Sequence, residues 1–169
     1  AMKRSAFVFT LFIVILNLGG CGNADGETRA SESTFLASFS LAPILEANEQ
    51  YLIASHTISG SAVSEPPIAF FQKHEEAVVQ VGATNVAAFM AAVTSDIEQL
   101  LTNSGAQIHG YGRGGNDGEG PEGTLSNIDY YSFRYHQDRA EGVVNVWGVS
   151  GKETNFTLIV LITESGVND

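Results

Sequence analysis

Residues 84–105, TNVAAFMAAVTSDIEQLLTNSG, hold the most regular apolar pattern in the chain. Val86, Phe89, Met90, Val93, Ile97, Leu100 and Leu101 fall at i, i+3, i+4, i+7, i+11, i+14 and i+15, one stripe down a single helix face. Thr84 is placed to cap the first turn, and Asn103-Ser104-Gly105 ends the run with a glycine suited to a left-handed C-terminal turn. At roughly 1.5 Å per residue this helix is about 30 Å long, enough to cross a four-stranded sheet.

Beyond Gly105 the period changes to two. Ala106 to Tyr111 is a candidate strand, and residues 112–127 (GRGGNDGEGPEGTLSN) read as a glycine-rich acidic loop. Ile128 to His136 alternates, with Tyr131, Phe133 and Tyr135 on one face and Tyr130, Ser132, Arg134 and His136 on the other. Val143 to Ser150 and Phe156 to Thr163 follow across short turns, so these three runs predict an antiparallel meander. The last run is apolar on both faces: Phe156, Leu158, Val160 and Ile162 on one, Ile159 and Leu161 on the other. A strand of this kind is normally covered on both sides. The long helix covers one face. Residues 35–60, the first helix read upstream or a partner protein must cover the other, and the self-contained solution is expected.

Upstream the pattern is less regular. Ser64-Glu65 before Pro66-Pro67, with Ile68, Phe71, Val78 and Val81 as a stripe and Gly82 as a stop, predicts a first helix. Phe35, Phe39 and Leu41 suit one face of a strand, while Phe35 and Phe39 equally suit a helical turn. Pro43 to Gln50 opens a short helix, and Tyr51 to Ile58 reads as a strand ended by Ser59-Gly60. Periodicity alone leaves residues 35–60 open between helix and strand. The expected fold class is α+β: two helices packed on a mainly antiparallel sheet with a C-terminal three-stranded meander.

The amino terminus carries a different kind of signal. Met2-Lys3-Arg4 is cationic, Ala6 to Leu16 is apolar apart from Thr10, and Asn17-Leu18-Gly19-Gly20 leads into Cys21. This is the charged, apolar, small-residue order of an export signal. A membrane-spanning helix needs about 20 apolar residues, and this run is shorter. Leu18-Gly19-Gly20-Cys21 resembles the lipobox of bacterial lipoproteins, a resemblance confined to residues 2–21. The resemblance implies lipid transfer to the Cys21 thiol, cleavage between Gly20 and Cys21, and acylation, for example with palmitate, of the new amino terminus. Two or more acyl chains anchor stably where one binds marginally. Gly22, rather than Asp, follows the cysteine, which resembles lipoproteins sent to the outer membrane in diderm bacteria. The alternative is an ordinary cleaved signal with Cys21 an incidental thiol.

These readings divide the chain into a signal peptide (1–20), a lipidated cysteine with a polar tether (21–33) and one domain (34–169). The signal holds Lys3 and Arg4 and no acid, so the 149 residues after it carry 6 basic and 19 acidic side chains, a net charge of -13. That balance repels nucleic acid phosphates and excludes nucleic-acid binding. The acids are scattered, as on a solvated surface. Cys21 is the chain's single cysteine, so the domain has no internal disulfide although it is exported.

Motifs for chemistry are incomplete. Gly110-Tyr111-Gly112-Arg113-Gly114-Gly115 matches G-x-G-x-x-G, but acidic residues and Pro121 follow where a dinucleotide site needs a helix amino terminus. Asp117, Glu119 and Glu122 offer oxygen ligands without the EF-hand order. Gly151-Lys152 lacks the rest of a P-loop, and no G-x-S-x-G occurs. A lipidated Cys21 removes cysteine catalysis. His56, His74, His109 and His136 show no paired metal spacing. His109 and His136 lie on candidate neighbouring strands and meet across the sheet in one reading, with Asp129 or Asp138 beside them. Trp147, Tyr131, Phe133 and Tyr135 suit an aromatic ligand surface, although alternating aromatics on central strands more often form core. Asn155-Phe156-Thr157 fits a glycosylation sequon, which a bacterial lipoprotein does not use.

The function expected from these residues is that of a membrane-anchored, non-catalytic accessory or interaction module of the bacterial envelope, with no cofactor beyond the lipid on Cys21. One alternative is an envelope enzyme or metal-binding protein working through His109, His136 and nearby acids. Another is a sheet face that binds a small apolar ligand or lipid.

Overall fold

The computed structural model describes residues 33–65, 70–120, 123–151 and 154–166. Two short helices, α1 (Thr34–Ser38) and α2 (Leu41–Ala47), and a 3-10 turn (Glu49–Tyr51) lead into the strands β1 (Leu52–Glu65) and β2 (Phe70–Val81). The long helix α3 (Val86–Asn103) follows, and then β3 (Gln107–Gly120), β4 (Gly123–Gln137), β5 (Ala140–Ser150) and β6 (Asn155–Gly166). The six strands of the described residues join one sheet in the order β1-β2-β6-β5-β4-β3, and every neighbouring pair is antiparallel.

Strands account for more than half of the described residues, and the sheet curls into an antiparallel half-barrel. This corrects the expected fold class, an α+β arrangement of two helices on a sheet. The difference lies chiefly in two segments. Residues 70–81, read as helix, form β2. Ala77, Val79 and Val81 are buried in strict alternation, while Val78 is 49% exposed. Phe71 and Val81, ten residues apart, share an inner face in a strand and nearly share one in a helix, which is why the stripe misled. Between them the inner face carries Lys73 and Glu75, which disguise the alternation. The second segment is the glycine-rich stretch read as a loop. Gly110 to Gly120 instead continues β3, paired with β4 through Glu119 and Thr124.

α3 occupies the position its stripe marks. Phe89, Met90, Val93, Ile97 and Leu101 are fully buried, and the helix closes through Gly105 at φ +90°. Leu100 lies at the margin, 40% exposed, and Asn85 rather than Thr84 is the N-cap residue. α2 begins at Leu41, two residues ahead of Pro43, and β1 runs past Gly60 to Glu65.

One apolar core joins α1, α2 and α3 to the inner face of the sheet, with Phe89 edge-on to Phe156 at 5.8 Å and Phe35 edge-on to Tyr135 at 5.5 Å. The outer face carries a second, smaller cluster of Ile128, Trp147 and Ile159 with Tyr130, Val149 and Leu161 packed against it. Residues 35–60 and the segment read as a first helix do not cover this face. α1 and α2 join α3 on the inner side, and β2 lies in the sheet itself. Among the described residues no helix is long and apolar enough to cross a membrane.

Candidate functional site

Among the described residues, titratable side chains gather in three places. The first is the interior. Glu164, on the inner face of β6, is 1% exposed. It accepts the Ser33 amide at 2.9 Å through Oε2, and the hydroxyls of Ser33 and Tyr135 through Oε1. Ser33 is the N-cap of α1, so the carboxylate meets the positive end of that helix. Tyr135 reaches it across β5, where Gly142 pairs with both Tyr135 and Glu164. A Cβ at Gly142 would lie 2.3 Å from the Tyr135 ring, so the missing side chain makes the room. Burial first, and then the hydrogen bond and charge of Glu164, push the Tyr135 phenol far above its ordinary value.

The same device repeats along the sheet. Glu75 Oε2 accepts the Leu41 amide at 2.7 Å, at the first turn of α2. Lys73 donates to the Phe39 carbonyl at the end of α1 and lies 3.7 Å from Glu75. Gln137 accepts from the Phe35 amide at 3.1 Å and donates to the Ser104 carbonyl at 2.6 Å, tying α1 and the end of α3 to β4. Asn48 donates to Asp96 at 2.6 Å, joining α2 to α3. The inner polar residues hold helix ends to the sheet.

The second place is the outer face. His109 and His136 come together there, on neighbouring strands, through Glu141. His109 Nε2 is 3.2 Å from Glu141 Oε2, and His136 Nδ1 is 3.0 Å from Glu141 Oε1. The three side chains are roughly half exposed. Asp129 and Asp138, the acids expected beside the histidines, do not take part. Asp129 points to the inner side of β4, and Asp138 stands in the β4–β5 turn at φ 53°. Glu141 separates the two rings with hydrogen-bond geometry. Among the described residues no group of three or more His, Cys, Asp or Glu side chains is arranged to hold a metal ion. His74 lies on β2, and its Nε2 is buried without a hydrogen-bond partner among the described residues.

The third place is a cleft of about 370 Å³ where the β3–β4 edge curls away from α3. Ala87, Ala91, Thr94 and Ser95 form its helix wall, and small side chains there leave the space open. Tyr111, Tyr131 and Phe133 form the opposite wall, with Tyr111 edge-on to Phe133 at 5.8 Å. The Arg113 guanidinium lies 5.2 Å over the Tyr131 ring. Glu98 and Asp129 complete the lining, and Glu98 Oε1 accepts the Tyr111 hydroxyl at 2.8 Å. That bond, with smaller contributions from burial and the Glu98 charge, raises the Tyr111 pKa. Tyr131 and Phe133, expected in core or on a ligand surface, border this cleft from the inner face. Tyr135 lies in the core and Trp147 on the outer face.

Sequence reading did not find Arg113, because it sits inside a glycine-rich run that reads as a loop. In a strand of period two, Tyr111 and Arg113 share a face, and that is the signal which finds them once β3 is extended. Glu141 and Glu164 left no signal of their own. Gly20, Cys21 and Glu122 lie outside the described residues.

No family model matches this chain, and no curated protein matches it. A solved structure described as a thioesterase family protein from Silicibacter pomeroyi aligns with 76% of this chain and 100% of its own, at 7% identity and a TM-score of 0.24. A likeness at that level carries no argument about fold or activity.

Proposed function

We propose that this protein is a bacterial envelope lipoprotein, held at the membrane surface by lipid on Cys21, whose domain binds rather than catalyses. The anchor rests on Leu18-Gly19-Gly20-Cys21 and the apolar run before it. With Gly22 after the cysteine, the outer membrane is its destination if the source is diderm. The partner is an envelope protein or a small ligand, received by the surface of the sheet or the cleft beside α3.

The observation that carries the non-catalytic half is the destination of the buried acid. A carboxylate sealed from water beside a tyrosine is a common mark of a chemical site. Here both Glu164 oxygens are occupied by Ser33 and Tyr135, where they fix the start of α1. Its burial therefore has a structural cause.

Metabolic labelling with an alkyne palmitate, followed by detergent phase partitioning, tests the anchor. Wild type takes up label and enters the detergent phase, while Cys21→Ala remains an unlabelled precursor. Identical behaviour of the two would remove the lipoprotein reading. In-cell crosslinking with mass spectrometry tests the binding half. One stoichiometric envelope protein identifies the partner, and a monomer without one leaves a small ligand as what the domain binds.

A further inference from the structure

We propose that the cleft between α3 and the β3–β4 edge binds a small zwitterion of the amino-acid class with an aromatic side chain. The proposal deepens the binding reading above and takes from it only that the domain binds without turnover.

The argument starts from Arg113. The domain is strongly acidic, and Glu98 and Asp129 line the same cleft, yet the ion pairs that Lys73–Glu75, His109–Glu141 and His136–Glu141 make among the described residues do not include Arg113. It lies over the face of Tyr131. A guanidinium drawn to a ring face by its charge keeps N–H donors for a carboxylate, in the fork that matches one. The cleft thus offers an exposed carboxylate receiver with no ion-pair partner among the described residues.

A plain anion is a poor fit, because Glu98 and Asp129 face the same volume and the net charge repels it. A ligand that adds an ammonium group beside its carboxylate meets both signs. Asp129 is the acid for that ammonium, since Glu98 already accepts the Tyr111 hydroxyl. The remaining wall is aromatic and edge-on, and a third ring packs against such a wall. The volume of about 370 Å³ lies at the small end of ligand pockets, in the range of a single amino acid.

Isothermal titration of the full lipidated protein in detergent provides the test, with three probes on one phenylethyl frame: L-phenylalanine, 3-phenylpropanoate and 2-phenylethylamine. Phenylalanine is expected to bind one to one, and the anion and the cation at least about tenfold more weakly. Arg113→Gln and Asp129→Asn each lose about tenfold for phenylalanine, and Ala91→Leu, which fills the cleft from an exposed helix position, abolishes binding. Thermal melts of each variant confirm that it folds. No saturable binding by wild type, equal affinity for all three probes, or undiminished binding by Arg113→Gln overturns the proposal. Mass spectrometry of the used ligands separates the two readings. Conversion of a probe that binds as expected would sink the non-catalytic function and leave the cleft as the ligand site.

Discussion

Tyr135 and Glu164, 29 residues apart on β4 and β6, share a hydrogen bond across the intervening strand, the phenol donating to Glu164 Oε1. Gly142 on β5 stands between them, paired with both, and the Tyr135 ring lies where its side chain would be. Three strands are thereby locked to Ser33 and to the start of α1.

Gly142→Ala puts a methyl group 2.3 Å from the ring of a fully buried tyrosine, so one of the two must shift. Overpacking of this kind costs about 1–3 kcal/mol. The expected outcome is a lower urea midpoint with an unchanged slope, together with faster amide exchange in α1.

Alkaline pH should act through Tyr135. The unfolded chain's phenol titrates near 10, whereas burial and Glu164 keep the folded phenol neutral well beyond that. Below pH 10 both states hold the proton and stability is intact. As pH rises further only the unfolded state releases it, so stability falls by about 1.4 kcal/mol per pH unit. Urea midpoints between about pH 9 and 11 should decline less steeply in Tyr135→Phe than in wild type. Tyr111 titrates in the same sense in both proteins, so the comparison isolates Tyr135.

Glu75→Ala removes the acceptor of the Leu41 amide and leaves Lys73 with the Phe39 carbonyl alone. Loss of a helix cap costs about 1 kcal/mol, and here a partly buried charge is left unbalanced as well. Hydrogen exchange should quicken across α2 and leave β4–β6 unchanged, and Glu75→Gln should recover part of the protection. Equal exchange in α2 would mean that the apolar contacts of Leu41 and Leu45 hold the helix unaided.

Glu141→Ala should do far less. Its two histidine contacts are about half exposed, and surface pairs contribute roughly 0–1 kcal/mol. A change in unfolding free energy above about 1 kcal/mol would show that the His109–Glu141–His136 cluster is a structural clamp.

α3 was legible because Phe89, Met90, Val93, Ile97 and Leu101 all face one core, and Thr94, the polar residue buried among them, donates its hydroxyl to the helix's own Met90 carbonyl. β2 was not, because Lys73 and Glu75 occupy inward positions that only make sense once helix ends lie above them. β3 was hidden by its glycines, whose strand conformation comes from pairing with β4. Of the candidate site, His109 and His136 were legible as a pair, while the carboxylate between them was misassigned to Asp129 or Asp138.

The sequence by itself determined the long helix, through an apolar period that depends only on neighbours along the chain, and the expectation of a lipid anchor at Cys21. Tertiary structure decided the rest. Strand partners and the meeting of Arg113 with Tyr131, or of Tyr135 with Glu164, depend on which distant backbone supplies hydrogen bonds and which side chain leaves room. Gly142 shows why: its consequence appears only when two other strands flank it.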